Sequence, residues 1–214
     1  MEKYSCYLIS NKFHLFSDIE KGLKPETLNF FDGTNAGSFS KLVNKCAAAC
    51  PTEIVIMMSD KVRPNSEHVY KILNLLDEGY ALVGLYRFAF FGFKKELFRK
   101  IGPLDERFIS GGYEDDDFYI RLKEANLAAY LTEEIPYKKS ISSWNHNLNK
   151  PYFIEKWIPH FDSTIKFHNN KIKRRLPEET YDYDWGDKLT STFLSWDKSY
   201  IPVSKGKKFT GSPK

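Results

Sequence analysis

The residues best suited to chemistry in this chain are carboxylates, and they are unevenly placed. GGYEDDDFYIRL, Gly111 to Leu122, sets Glu114, Asp115, Asp116 and Asp117 behind a glycine pair and ahead of an apolar, helix-like run. A helix start favours anions, because its first N–H groups are unpaired and the macrodipole is positive there. That accounts for one or two acids but not for four. Crowded carboxylates raise one another's pKa, which suits a proton acceptor. Successive helical positions fan out by about 100°, so the four cannot share one direction: some face a crevice while others cap the helix or meet solvent. Gly111-Gly112 either lets the backbone approach a ligand or simply makes a turn. Asp60 follows the apolar run EIVIMM, Glu53 to Met58. It is either a turn-forming acid or a hard oxygen ligand for Mg²⁺ or Mn²⁺ on a diphosphate. His146, in the polar segment SSWNHNLNK beside Trp144, reads as a loop residue. It is either plain surface or a further ligand, since imidazole accepts Mn²⁺ more readily than Mg²⁺.

These residues need a frame. YSCYLIS (Tyr4 to Ser10) is β-prone and apolar, and reads as a first buried strand; a short helical stretch follows, up to Gly22. TLNFF reads as a second strand, ending in Asp32-Gly33-Thr34-Asn35. Ser38 to Cys50 is helix-like, with Phe39, Leu42, Val43, Cys46 and Ala47 on one stripe. EIVIMM is the clearest buried strand, and Pro64-Asn65-Ser66 opens a helix carrying Val69, Ile72, Leu73 and Leu76. Ala81 to Phe93 is strand-like with a break near Tyr86-Arg87, Lys94 to Ile101 is a short helix, and LAAYL is a further strand. Strands alternating with helices predict an α/β fold with a mostly parallel central sheet flanked by helices. In such sheets ligands sit beyond the carboxyl ends of the strands, where Asp32 and Asp60 fall.

Composition narrows the field. The 214 residues are 42% hydrophobic and 16% aromatic, as expected of a globular chain with one substantial core. No apolar run approaches the roughly 20 residues that span a bilayer, and the first residues lack a cleavage pattern, so the expectation is a cytoplasmic protein. Cys6, Cys46 and Cys50 make no disulfide framework and read as buried thiols of a reducing compartment. From Lys171 onward ten Lys/Arg face six Asp/Glu, while the preceding residues balance at 22 of each sign. Aromatic and basic residues do not interleave on any one element, which argues against nucleic acid as a partner.

The order of these features resembles the nucleotide-sugar glycosyltransferases of the GT-A fold, close to the inverting family 2 enzymes and to the β-1,4-galactosyltransferases. The resemblance is carried by YLIS, NFFDGTN, NAGSFSKLVN and EIVIMMSDKVRP in the first half. In the second half it is carried by FFGFKKELFRKIGPLDERFISGGYEDDDFYIRLKEAN and by YFIEKW. GGYEDDD is similar to the galactosyltransferase G-G-E-D-D-D, and the likeness runs from about Tyr4 to Trp157. It implies a domain over residues 1–170, a donor half of about 1–86 and an acceptor half of about 87–170, with 171–214 as a basic extension. It also implies a Rossmann-like nucleotide-binding first half and a transfer from a nucleoside-diphosphate sugar, uridine-linked by analogy, to a hydroxyl of a carbohydrate acceptor with inversion.

Carried over by position, the resemblance makes Asp115 the catalytic base and Asp116, with Trp144, acceptor-binding. Asp32 would contact the nucleoside, with Ser10, Lys41 and Ser59 as neighbours on the nucleotide. Asp60 would hold a divalent ion, Mn²⁺ or Mg²⁺, with His146 as a further ligand. The chain departs from the pattern at Ser59-Asp60-Lys61, where the family often has two or three acids. It is also short for the fold, so part of the acceptor side would come from a partner or from a longer polypeptide. Two other readings compete: a non-catalytic nucleotide- or carbohydrate-binding module of the same fold, favoured by the single acid, and a sugar-nucleotide pyrophosphorylase. The latter lacks its glycine-rich, Arg-containing loop here.

Overall fold

In the computed structural model, residues 4–10, 12–23, 28–33, 37–108, 110–136 and 146–157 are described. The elements run β1 (Tyr4–Ser10), a 3-10 turn (Phe13–Leu15), α1 (Phe16–Glu20), β2 (Leu28–Asp32), α2 (Phe39–Ala49), β3 (Ile54–Ser59) and α3 (Ser66–Asp77). Then come β4 (Leu82–Phe88), β5 (Phe90–Lys94), α4 (Glu96–Ile101), α5 (Glu114–Glu124), β6 (Ala129–Leu131) and α6 (His146–Trp157). The six strands form one sheet in the order β2-β1-β3-β5-β4-β6. β1 pairs in parallel with β2 and β3, and β4 with β6; β5 alone runs against its neighbours. The expected mostly parallel α/β sheet is therefore present, with one reversed strand inserted by a tight hairpin.

That hairpin resolves the predicted break. Arg87 takes a left-handed φ of 43°, and the chain turns at Ala89, whose N–H reaches the Tyr86 carbonyl at 2.8 Å. Gly84 sits at the irregular register between β4 and β5. A Cβ there would lie 2.3 Å from the Arg87 carbonyl oxygen, so only glycine fits.

The central strands are buried on both faces, and their alternation sorts the core. Tyr7, Ile9, Val55, Met57, Phe91 and Phe93 pack with Val43 and Ala47 of α2, Phe98 of α4 and Phe118 of α5. Cys6, Leu8, Ile54, Ile56 and Met58 face the other way, onto Ile19 of α1 and Ile72, Leu73 and Leu76 of α3. Helices thus cover both sides. Side-chain oxygens cap α2 and α3: Ser38 accepts from the Lys41 N–H, and Asn65 exchanges bonds with His68 in a capping box.

The thiols of Cys6, Cys46 and Cys50 are buried and unbridged. Burial pushes Cys6 up to about 12 and raises Cys46 as well, which keeps both protonated. No helix among the described residues is long and apolar enough to cross a membrane.

A candidate functional site at three strand ends and an acidic helix

The nucleotide-side candidates converge. Ser10 closes β1 and lies in register with Asp32 of β2, while Ile9 pairs with Ser59 at the end of β3. The carboxyl ends of three parallel strands thus bring Ser10, Asp32, Ser59 and Asp60 to one edge. Gly33 N–H holds the Ser10 carbonyl at 2.9 Å and Lys61 N–H reaches Ser59 Oγ at 3.3 Å, so these loops fold back on themselves. Asp60 is pinned by its carbonyl, which accepts from Arg63 Nη1 at 2.8 Å. Its Oδ2 receives the Ser10 hydroxyl at 3.3 Å and the Lys12 ammonium at 3.2 Å. Asp32 is exposed and Lys41 half-buried in the first turn of α2.

Asp60 is an oxygen donor of the hard type that Mg²⁺ and Mn²⁺ prefer, and the Ser10 and Lys12 contacts both fall on its Oδ2. No group of three or more His, Cys, Asp or Glu among the described residues could hold an ion alone. The donor set therefore fits an ion that keeps one carboxylate and draws its other ligands from substrate phosphates and water. His146 is the first residue of α6 rather than part of a loop, and its side chain lies outside the described residues, as does Trp144.

The acidic run stands at the start of α5 and divides by face. Glu114 and Asp117, three apart, are buried; Asp115 is half-buried and Asp116 exposed. Tyr113, at the N-cap, gives the helix start no side-chain capping bond, and Glu114 Oε2 is buried without a hydrogen-bond partner among the described residues. Burial and then the charge of Asp115 push Glu114 up to about 7. The approach to the helix is backbone-strained: Ser110, Gly112 and Tyr113 have φ of 64°, 107° and 74°. Two non-glycine residues in the left-handed region cost energy that the surroundings must supply. Ser38 forms a parallel bridge to Ser110, with Phe39 N–H on the Ser110 carbonyl at 3.1 Å. Buried Asn44 of α2 clasps both backbone groups around Leu104, donating to its carbonyl at 2.7 Å and accepting from its N–H at 2.9 Å. The acidic helix is thereby joined to the nucleotide-side half.

α6 secures the other flank. Asn149, Tyr152, Phe153, Lys156 and Trp157 recur at helical spacing and are all buried. Asn149 Nδ2 donates to the carbonyls of Gly111 at 3.2 Å and Gly112 at 3.0 Å, holding the strained turn, and Tyr113 stacks on Phe153 with centroids 4.9 Å apart. Lys156 Nζ lies 2.7 Å from both Asp105 Oδ2 and Asp117 Oδ1. Trp157 Nε1 donates to Asp117 Oδ1 at 2.7 Å, and the Arg121 guanidinium pairs with Asp117 Oδ2 at 2.9 Å. Arg121 also caps the carbonyls of Ile101, Gly102 and Pro103. Burial works against both carboxylates, but Lys156 with Arg107 at Asp105, and Lys156 with Arg121 at Asp117, outweighs it and keeps them charged. Sequence alone assigns Asp105, Arg121 and Lys156 no role: Arg121 and Lys156 show only as charges amid apolar and aromatic helical residues, as in YFIEKW, and Asp105 lies outside any helix.

Glu114 yields a pH prediction. Between its ordinary 4.5 and about 7 the unfolded chain has released this proton while the folded chain keeps it. The unfolded state then binds fewer protons, so this contribution to stability declines as pH rises through that window. Glu114→Gln is expected to flatten the decline, measured as urea unfolding at about pH 5 and about pH 7.5. Equal pH slopes in the two proteins would overturn the assignment.

Comparison with known proteins bears on the fold. Residues 86–151 match the family model described as the N-terminal domain of galactosyltransferase. Glucosyl-3-phosphoglycerate synthase from Mycobacterium tuberculosis, solved with Mn²⁺, UDP-glucose and phosphoglyceric acid, superposes with a TM-score of 0.52 at 14% identity, over 72% of this chain and 78% of that one. Its complex with Mn²⁺, UDP and glucosyl-3-phosphoglycerate gives 0.50 at 13% identity, over 65% and 73%. The catalytic domain of Drosophila β-1,4-galactosyltransferase 7 with xylobiose gives 0.46 at 13% identity, over 67% and 68%. No curated protein matches the chain.

Proposed function

We propose, on the premise that this chain carries the GT-A glycosyltransferase fold, that it transfers a sugar from a nucleoside-diphosphate sugar to a hydroxyl of a carbohydrate acceptor, with inversion. The observation that carries the reading is a lone acid at the end of β3 and an acidic helix start joined to the same sheet edge by the Ser38–Ser110 bridge. Mn²⁺ and UDP in the similar glucosyl-3-phosphoglycerate synthase support a uridine-linked donor and a divalent ion.

In this reading Ser10, Asp32, Lys41 and Ser59 line the nucleotide side. Asp60 holds the ion, and His146 stands as its further ligand. A bound ion would offset the charge that builds on the departing diphosphate. Asp115 takes the proton from the acceptor hydroxyl as that oxygen attacks the anomeric carbon opposite the leaving group, while Asp116 and Trp144 orient the acceptor. Asp117 keeps Asp115 in place through Lys156 and Arg121. The basic residues 171–214 lie outside the described residues.

A thermal-shift screen of nucleoside diphosphates and nucleotide sugars, with and without Mn²⁺, tests the reading. A shift with UDP or a UDP-sugar that grows with Mn²⁺, and loses that growth in Asp60→Asn, is expected. The absence of any nucleotide-induced shift would refute the proposal. Tight binding without hydrolysis of any nucleotide sugar would instead favour a binding module.

A further inference from the structure

The acid that should receive a divalent ion already has a cation on it. Lys12 Nζ stands 3.2 Å from Asp60 Oδ2, the oxygen that Ser10 Oγ also contacts at 3.3 Å. The three residues form a closed set, since the Lys12 N–H donates to Ser10 Oγ at 3.0 Å. The Asp60 side chain is 15% exposed and that of Lys12 54%. One partner is therefore largely buried at the sheet edge and the other reaches it from solvent.

We propose that Lys12 is an exchanging counter-ion: it covers Asp60 while the site is empty and moves onto the diphosphate when nucleotide and ion bind together. The inference rests on the glycosyltransferase reading. Charge supplies the reason. Lys12 and Asp60 alone cancel. A divalent ion arriving by itself leaves two excess positive charges, and a nucleoside-diphosphate sugar arriving by itself leaves two excess negative ones. Both together restore neutrality. Each therefore favours the other's binding, and by linkage the coupling is reciprocal.

The exchange is mechanically cheap. An ion pair whose ammonium stands largely in solvent, as that of Lys12 does, contributes little to stability. Lysine carries a compact charge on a flexible stem, so its three donors can turn from a carboxylate to a nearby phosphate while the backbone stays fixed. Arg63, bonded to the carbonyls of Asp60 and Val62, keeps the acid itself from following. A single carboxylate then suffices where two or three acids would bind the ion unaided.

Calorimetric titration of the full chain with Mn²⁺ alone, UDP alone and each in the presence of the other tests this. In the wild type, UDP should tighten Mn²⁺ binding at least tenfold. In Lys12→Met, Mn²⁺ alone should bind several-fold tighter, because the competing ammonium is gone. UDP with Mn²⁺ should bind about tenfold weaker, so the coupling shrinks. Lys12→Gln should behave alike, and circular dichroism should show both variants folded. A Lys12→Met protein whose Mn²⁺ affinity in the absence of UDP is unchanged or weaker overturns the exchange and leaves the glycosyltransferase reading standing. A wild type that binds no UDP with or without Mn²⁺ overturns that reading, and the inference with it.

Discussion

Asp115→Asn is expected to lower turnover of a nucleotide sugar by roughly two orders of magnitude or more, the contribution of a positioned general base. The side chain sits one residue inside α5, half-buried between buried Glu114 and exposed Asp116. Of its neighbours, Asp117 is committed to Lys156, Arg121 and Trp157, and burial favours the protonated form of Glu114. In the proposed reading Asp115 is the acid that meets the incoming hydroxyl. Asparagine keeps the shape and removes the proton-accepting charge, so folding and UDP affinity should stay near wild type. UDP release from a nucleotide sugar, to an acceptor or to water, is the measurement. Near-normal release by a folded, UDP-binding variant would remove Asp115 from its role.

The second large effect is on stability. Lys156→Met should destabilise the protein by about 3 kcal/mol, the low end of the cost of breaking a buried ion pair. At about 2–4 °C per kcal/mol, that is a fall in Tm of about 6–12 °C. The low end applies because neither carboxylate is abandoned. Asp105 retains Arg107 at 2.8 Å, and Asp117 retains Arg121 and Trp157. Methionine also preserves much of the aliphatic stem that packs beside Trp157. Urea unfolding at neutral pH checks the magnitude. A loss below about 1 kcal/mol would mean that the aromatic contacts of α6, not its ammonium, hold it in place.

The sheet was legible in the sequence because its central strands are buried on both faces. EIVIMM and YSCYLIS need no partner to be recognised as strands, and Ser38 and Asn65 announce their helices as caps. The division of the acidic run was also legible, since helical geometry forbids four successive side chains from sharing a face. α6 was not. Pro151 lies within it, and a proline inside a polar segment argues for a loop. The tertiary contacts of Asn149, Phe153 and Trp157 outweigh that local preference. The pairs Lys12–Asp60 and Lys156–Asp105 were beyond reach for a different reason. They join residues about 50 positions apart, and no periodicity in a single chain says which charges meet.

The Ser38–Ser110 bridge and the Asn44 clasp on Leu104 have a consequence for how such a protein can diversify. They weld α2 to the segment that leads into α5, so neither can be re-angled without unpicking hydrogen bonds. Descendants with new acceptor preferences would have to arise by exchanging side chains along the rim, one position at a time, with the chassis inherited unchanged.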